Sequence, residues 1–145
     1  MIFVIVFFIL FIDRLTKILA VDNLVLNSPK PVINNFLYLT LIHNKGAAFG
    51  MLQNKLYIFI FSALLAVALI YSELRKRPRN EFTLYKLSLI MILSGAIGNL
   101  IDRIYFGYVI DFIDFRVWPV FNIADSFISI GIVLLIVSMM RRRRG

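Results

Sequence analysis

The chain has 145 residues, of which 61% are hydrophobic, and its formal net charge is +8. This apolar share exceeds the roughly 45–50% that is typical of soluble domains, so the sequence predicts a single integral membrane domain over residues 1–145. The absence of cysteine excludes a disulfide framework, a thiolate nucleophile and a cysteine metal site, and the single histidine, His43, cannot build a histidine metal cluster. We therefore expect neither a metal nor another cofactor.

Four apolar segments follow one another along the chain, each close to the length that a helix needs to cross about 30 Å of hydrocarbon. They cover residues 1–21, 56–72, 84–102 and 122–140. The first contains Asp13, Arg14 and Lys17 and lacks the basic start and small-residue cleavage site of a signal peptide, so it is predicted to be a mature helix. Because spanning segments must satisfy their own backbone hydrogen bonds, the sequence predicts an all-α membrane protein with four transmembrane helices.

The segment 22–55 between the first two helices is too long for a plain connector. Pro29 and Pro31 interrupt it, and residues 32–42 are rich in the β-forming residues Val, Ile, Phe, Leu, Tyr and Thr. We expect a small β-element there, with apolar side chains that rest on the membrane surface. Residues 44–50 follow it, and their small side chains and glycines allow close backbone approach.

Basic residues directly follow two of the apolar segments. The loop 73–86 holds five basic and two acidic side chains and residues 141–144 are four arginines, whereas the segment 103–120 has a net charge of zero. Since cytoplasmic loops carry the excess of Lys and Arg, we expect this loop and both termini in the cytoplasm and the segments 22–55 and 103–120 on the outer side. The basic residues therefore indicate the orientation of the helices in the membrane, and nucleic acid is not expected as a partner.

Five carboxylates lie within or beside the apolar segments, where ionisable side chains are costly and indicate a functional site by default. They are Asp13, Asp102, Asp111, Asp114 and Asp125. The predicted topology brings all five towards the outer side, with Asp111 and Asp114 in the loop between the last two helices. If Asp111 and Asp125 come close, repulsion keeps one protonated while the other ionises. Such a pair can activate water for attack on an amide and protonate the leaving group.

Simpler interpretations of some of these residues stay open from the local pattern. Asn122 and Asp125 have the spacing of a capping box at the start of the last helix. Asp13 and Lys17 have the i,i+4 spacing of a structural ion pair. Neither interpretation excludes a place in a functional site.

The end of the third helix contains a carboxylate at an unfavourable position. Asp102 falls where the negative end of the helix dipole disfavours further negative charge. Arg103 beside it, or Asn99 one turn earlier on the same face, is expected to compensate that charge. Gly95 and Gly98, in the preceding turns, are expected to allow tight helix packing.

Five sequence blocks carry a family resemblance. They are Asp13-Arg14-Leu15-Thr16-Lys17, Asn44-Lys45-Gly46-Ala47-Ala48-Phe49-Gly50, Gly95-Ala96-Ile97-Gly98-Asn99-Leu100-Ile101-Asp102-Arg103, Val109-Ile110-Asp111-Phe112-Ile113-Asp114-Phe115 and Phe121-Asn122-Ile123-Ala124-Asp125-Ser126. In this order and spacing, and over nearly the whole chain, they closely resemble the bacterial lipoprotein signal peptidases, or signal peptidase II. The one small departure is Arg14, where the family often has Gln.

The resemblance implies an intramembrane aspartic endopeptidase that removes the signal peptide of a prolipoprotein, cutting just before the cysteine that carries diacylglycerol. It assigns the catalytic pair to Asp111 and Asp125. It assigns substrate binding and support of the site to Asp13, Asn44, Gly46, Asn99, Asp102, Arg103, Asn122 and Ala124. It also implies a small extracytoplasmic β-cradle beside the four helices, in the bacterial cytoplasmic (inner) membrane, with the site near the outer face.

The partners that we expect are the lipid-modified prolipoprotein signal peptide and membrane lipids, and we expect the protein to be a monomer. Two other classes stay open from the residues alone. Intramembrane acids also suit a proton- or ion-coupled transporter, although the chain shows no inverted repeat and its acids gather on one side rather than at the midplane. A non-catalytic membrane scaffold would tolerate Asn at Asp111 and Asp125.

Overall fold

The computed structural model describes residues 2–46, 55–76 and 83–142. These residues form four helices and one three-stranded antiparallel sheet. The elements in chain order are α1 (Ile2–Asn23), β1 (Lys30–Ile33), β2 (Leu37–Asn44), α2 (Leu56–Arg75), α3 (Leu84–Phe106), β3 (Val109–Asp114) and α4 (Ile123–Arg142). Each helix coincides with one of the predicted apolar segments, with ends that differ by a few residues.

In the described part of the chain, three helices are long and apolar enough to cross a membrane, namely α2, α3 and α4. The helix α1 has 22 residues, but it contains Asp13, Arg14 and Lys17. The residues that α1 buries are Ile9, Asp13, Lys17 and Ala20. Their spacing places them on one face, because residues three or four apart are neighbours on a helix. Apolar side chains such as Phe3 and Phe7 are exposed, so the charged Asp13 and Lys17 of α1 lie inside the fold while large apolar residues lie outside.

Helix α3 lies at the centre of the bundle and contacts the other three helices, most extensively α4. Glycines make this contact close. A methyl group at Gly131 would lie 2.7 Å from Ile92 Cγ1 and 2.9 Å from Ser88 O, and one at Gly95 would collide with the carbonyl oxygen of Ala124. The expectation that Gly95 allows tight helix packing is thereby confirmed.

The sheet has the strand order β1-β2-β3, and its third strand comes from the segment between the last two helices. Helix α3 ends at Phe106 because Gly107 adopts φ +78°, and β3 begins two residues later. The register places Ile42 opposite Asp111. A small apolar core fixes the sheet on α1, and it consists of Ala20, Leu41, Ile110 and Phe112.

The expectation that Asp111 and Asp114 lie in a loop was wrong, because both lie on β3. The strand is buried at five of its six positions, so it shows no alternation of apolar and polar residues. Burial without alternation is typical of a strand that is covered on both faces. The β-forming residues Val109, Ile110 and Phe112 were the signal that indicated it.

Candidate active site

Asp111 on β3 and Asp125 in the first turn of α4 are brought together by one residue, Asn122. The side chain of Asn122 donates from Nδ2 to Asp111 Oδ1 at 2.7 Å. The backbone N–H of Asn122 donates to Asp125 Oδ2 at 3.3 Å. Asp111 and Asn122 are buried, and Asp125 is partly buried. We call Asp111 and Asp125 the acid pair.

The capping-box interpretation of Asn122 and Asp125 is also confirmed. Asn122 Oδ1 accepts the backbone N–H of Asp125 at 2.9 Å, while Asp125 Oδ2 accepts the backbone N–H of Asn122. This reciprocal pattern satisfies two donors at the start of α4. The capping box uses the backbone N–H and Oδ1 of Asn122, whereas the hydrogen bond to Asp111 uses its Nδ2.

Two further amide side chains hold the acid pair. Asn44, at the end of β2, donates from Nδ2 to Asp111 Oδ2 at 2.9 Å, and its own Oδ1 accepts the backbone N–H of Gly46 at 3.0 Å. Asn99 on α3 donates from Nδ2 to Asp125 Oδ1 at 2.7 Å. Each carboxyl group thus accepts a hydrogen bond from a neutral amide at each of its oxygens.

The surroundings of Asp111 favour its protonated form. Burial and, to a smaller extent, the nearby Asp125 raise the pKa of Asp111 to about 7, although the hydrogen bonds from Asn44 and Asn122 and the charge of Lys17 act in the opposite direction. A carboxyl group with a pKa near neutrality can both hold and release a proton at physiological pH. Asp111 therefore has the property that acid–base chemistry requires.

Beside the acid pair lies a second polar group, which we call the ion cluster, made of Asp13, Arg14, Lys17 and Asp102. The predicted i,i+4 ion pair is present, with Lys17 Nζ 2.8 Å from Asp13 Oδ2. Lys17 Nζ also lies 2.9 Å from Asp102 Oδ2, and Arg14 approaches Asp102 Oδ1 at 3.5 Å. Two cations and two carboxylates thus balance in one site, in which all but Arg14 are buried.

The direct ionic partners of Asp102 are Lys17 and Arg14 from another helix, and the predicted compensation by Arg103 is present as an electrostatic interaction. Arg103 lies over the ring of Phe59, 5.3 Å from its centroid. Arg103 also interacts electrostatically with both members of the acid pair and with Asp102. Its place beside the acid pair agrees with a supporting role in the site.

Three contacts connect the ion cluster to the acid pair. Asp102 Oδ2 accepts the backbone N–H of Ile110, next to Asp111, at 3.2 Å. Asp13 Oδ1 accepts the backbone N–H of Ala124, next to Asp125, at 2.9 Å. Lys17 Nζ donates to Asn99 Oδ1 at 3.0 Å. Gly98 leaves room for this arrangement, since a methyl group there would lie 2.8 Å from Asp13 Oδ2.

The fifth candidate acid, Asp114, lies apart from this network. Its carboxylate accepts hydrogen bonds from Thr40 Oγ1 at 2.7 Å and from the backbone N–H of Arg116 at 2.8 Å. The guanidinium of Arg116 lies 3.7 Å away. These contacts tie β2, β3 and the following turn together, which is a structural role.

Lys17 has more partners than its i,i+4 spacing to Asp13 predicts. It joins the ion cluster to the acid pair through Asn99. The signal was present in the sequence, because a lysine within an apolar helix must find partners inside the fold. Of the predicted 44–50 motif, Asn44 and Gly46 take part in the site, and residues 47–50 lie outside the described residues.

Comparison with known proteins relates this site and fold to a family. The family model described as signal peptidase (SPase) II matches residues 5–141. The chain is 52% identical to the lipoprotein signal peptidase of Caldanaerobacter subterraneus subsp. tengcongensis over 134 residues, which cover 91% of this chain and 90% of that protein. It is 38% identical to the lipoprotein signal peptidase of Halothermothrix orenii over 145 residues, which cover 99% and 98% of the two chains.

Two solved bacterial membrane enzymes have a similar structure. The first has a TM-score of 0.88 and 30% identity, and the match covers 97% of this chain and 87% of that one. The second has a TM-score of 0.82 and 32% identity, and the match covers 95% and 91% of the two chains. The fold therefore matches that of known bacterial membrane enzymes.

Proposed function

Because the chain belongs to the signal peptidase II family, a family of proteases, we propose that it is an aspartic endopeptidase that removes the signal peptide from diacylglyceryl-modified prolipoproteins. The observation that carries this proposal is the acid pair itself. Asp111 and Asp125 are neighbours across Asn122, and each accepts hydrogen bonds from neutral amides. When two carboxyl groups share one site, charge repulsion drives their pKa values apart. One group then stays protonated as an acid while the other is ionised and acts as a base.

We assign the proton of the resting pair to Asp111 and the negative charge to Asp125. The raised pKa of Asp111, about 7, supports the first assignment. Asp125 lies in the first turn of α4, where the positive end of the helix dipole favours a carboxylate. The hydrogen bond from Asn99 to Asp125 favours the same form.

The proposed reaction starts with Asp111 protonated and Asp125 ionised. Asp125 removes a proton from a water molecule while the water oxygen bonds to the scissile carbonyl carbon, and Asp111 donates its proton to the carbonyl oxygen. The C–N bond breaks as Asp125 passes its new proton to the amide nitrogen. Asp111 regains a proton from a hydroxyl group of the intermediate as the new carboxylic acid forms. The pair returns to its starting state without a covalent bond to the substrate.

The proposed substrate is an apolar signal peptide that is cut just before its lipidated cysteine. The name of the relatives, lipoprotein signal peptidase, supports the substrate class. The exposed apolar side chains of α1, α2 and α4 support entry from lipid, since such surfaces are stable only in an apolar surrounding. Asn44 and Gly46 border Asp111 and are proposed to hold the unwound peptide.

We propose that all four helices span the bacterial inner membrane, with the acid pair near the outer face. Helix α1 supports a fourth span, because 22 residues extend about 33 Å and the apolar side chains lie on its exposed side. The basic residues of 73–86 and 141–144 support cytoplasmic termini. The three-stranded sheet, next to the acid pair, is then the extracytoplasmic cradle. The protein is proposed to act as a monomer whose partners are its substrate and membrane lipids.

The test is cleavage of a diacylglyceryl-modified prolipoprotein by the purified protein in detergent. The wild type should release a product that begins at the lipidated cysteine, and Asp125→Asn should release none. The matched control is Asp114→Asn, another buried carboxylate of the same region, which should still cleave. Wild-type turnover by Asp125→Asn would overturn the catalytic pair. A folded wild type that does not cleave would overturn the peptidase proposal and favour a proton-coupled transporter, which a measurement of proton flux in liposomes would test.

A further inference from the structure

Lys17 is fully buried, with 0% of its side chain exposed. Its Nζ lies within hydrogen-bond distance of Asp13 Oδ2, Asp102 Oδ2 and Asn99 Oδ1, at 2.8, 2.9 and 3.0 Å. An ammonium group has three N–H donors and no acceptor, so these three oxygens use its whole hydrogen-bonding capacity. The two carboxylates account for its charge. The third contact, to a neutral amide that faces the acid pair, is not needed for charge balance.

This third contact fixes the orientation of an amide. An Asn side chain can turn over and exchange its oxygen with its NH₂ group, and only hydrogen-bond partners decide between the two orientations. Because Lys17 can only donate, it binds the oxygen of Asn99 and directs the NH₂ group of Asn99 to Asp125 Oδ1, 2.7 Å away. Asn122 Nδ2 donates to the same oxygen of Asn99 at 3.0 Å. In the reverse orientation, an oxygen of Asn99 would face a carboxylate oxygen of Asp125.

We propose that Lys17 is a positioning residue of the reaction, which acts through Asn99 to keep a donor on Asp125 and thereby keeps Asp125 the ionised base of the acid pair. This inference rests on the proposed function. Lys17 does not touch the reacting atoms. Its effect reaches them through the amide of Asn99, whose oxygen binds the ammonium group and whose NH₂ group donates to Asp125.

The charged and titratable groups around this path come from every element that packs on it. Asp13 and Arg14 belong to α1, Asp102 and Arg103 to α3, Asp111 to β3 and Asp125 to α4. Asp13 and Asp102 offset much of the charge of Lys17, so the directional hydrogen bond through Asn99 is the main effect. The remaining charge of Lys17 acts in the same direction, because its electrostatic interaction with Asp125 favours the ionised form of that carboxyl group.

A purely structural role of Lys17 predicts a different result. If Lys17 only balances Asp13 and Asp102, its loss lowers the amount of folded enzyme and leaves the pH dependence of each folded molecule unchanged. If it acts through Asn99, its loss also makes the base of the acid pair harder to ionise. The acid limb of the pH profile then moves to higher pH.

The test therefore compares pH profiles of cleavage per folded molecule. Lys17→Met should lower kcat by about 10²-fold with KM within about twofold, as expected for a displaced catalytic group, and move the acid limb upward by about one pH unit. Because Lys17→Met leaves two buried carboxylates with fewer cations, the charge-balanced variant Asp13→Asn/Lys17→Met is measured beside it. It retains an acceptor for the N–H of Ala124 and should show the same shift. Lys86→Met is the control. It removes a second buried lysine, which lies on α3 about 20 Å along the helix from Asn99, and it should leave the pH profile unchanged.

A mutant cycle with Asn99→Ala tests the path itself. In that background the further loss of Lys17 should change kcat less than twofold, since the amide on which it acts is absent. Folded Lys17 variants with the wild-type pH profile, or full additivity with Asn99→Ala, would overturn the inference. A wild type that does not cleave would instead overturn the proposed function, so the two failures are distinguishable.

Discussion

The ion cluster and the acid pair lie side by side and each contains two buried or partly buried carboxyl groups, yet their direct partners differ. In the ion cluster, Asp13 and Asp102 contact the cations Lys17 and Arg14. In the acid pair, the hydrogen bonds come from neutral N–H groups. Contact with a cation holds a carboxylate ionised, whereas neutral donors leave it able to change its protonation state. Since both groups are buried at least in part, the identity of the partner separates carboxylates that stabilise the fold from carboxylates that can transfer protons.

The largest expected effect is the loss of activity when the acid pair is neutralised. Asp111→Asn should lower turnover by about 10⁴-fold, because the site then lacks the proton that the carbonyl oxygen requires. Asp111→Asn/Asp125→Asn should be no slower than either single variant, since the two groups act as one unit. Cleavage rates of purified, folded protein measure this. If the turnover of the double variant fell by the product of the two single losses, the residues would act separately.

The pH dependence of stability should identify Asp111 as the acid with the raised pKa. Its pKa of about 7 in the folded protein exceeds the 3.8 of the free side chain, so the folded state binds more protons between these values. The free energy of unfolding should therefore fall as pH rises from about 4 to about 7, by up to about 4 kcal/mol from this group. Chemical unfolding at several pH values measures the slope. Asp111→Asn should remove most of it, and an unchanged slope would contradict the assignment.

In the ion cluster, the carboxylates should affect stability more than chemistry. Asp13→Asn raises the net charge of the cluster from zero to +1 and should lower the free energy of unfolding by about 3 kcal/mol, because a buried cation loses one of its partners. Turnover per folded molecule should fall less than about tenfold. Asp22→Asn, an exposed acid of the same helix, is the matched control and should change the stability by less than about 0.5 kcal/mol. Equal losses in both variants would contradict a special role of the cluster.

The smallest effect is expected at Arg14, the exposed edge of the ion cluster. Its side chain is 44% exposed and lies 3.5 Å from Asp102, so solvent screens the pair. Arg14→Gln should lower the free energy of unfolding by about 0.5 kcal/mol, because Lys17 still contacts Asp102. Thermal unfolding of this variant beside Asp13→Asn measures the contrast. A loss as large as that of Asp13→Asn would place Arg14 inside the cluster's buried part.

The helices and one half of the site could be predicted from the sequence because their signals are local. The length of each apolar segment determines a helix, and the spacing of Asn122 and Asp125 predicts the capping box that the structure contains. The β-element of 32–42 could also be predicted, since its residue types favour a strand. Such signals depend only on neighbours in the chain.

The remaining features depend on contacts between distant residues. Lys17 and Asn99 are 82 positions apart, and Arg14 and Asp102 are 88 apart, so no local pattern indicates either contact. The strand β3 was assigned to a loop because its buried faces give no alternation, and its pairing with β2 arises only in the folded chain. The sequence therefore predicts which acids matter more readily than which partners determine their charge.

The most direct test of this distinction measures turnover and the thermal unfolding midpoint of Asp111→Asn and Asp13→Asn in the same detergent. Asp111→Asn should lose cleavage of the diacylglyceryl-modified prolipoprotein and keep the midpoint, since Asn is neutral like the protonated Asp111 and has a similar size. Asp13→Asn should lower the midpoint, and its turnover per folded molecule should fall less than about tenfold. If turnover and midpoint fell together in both variants, the separation between the acid pair and the ion cluster would be contradicted.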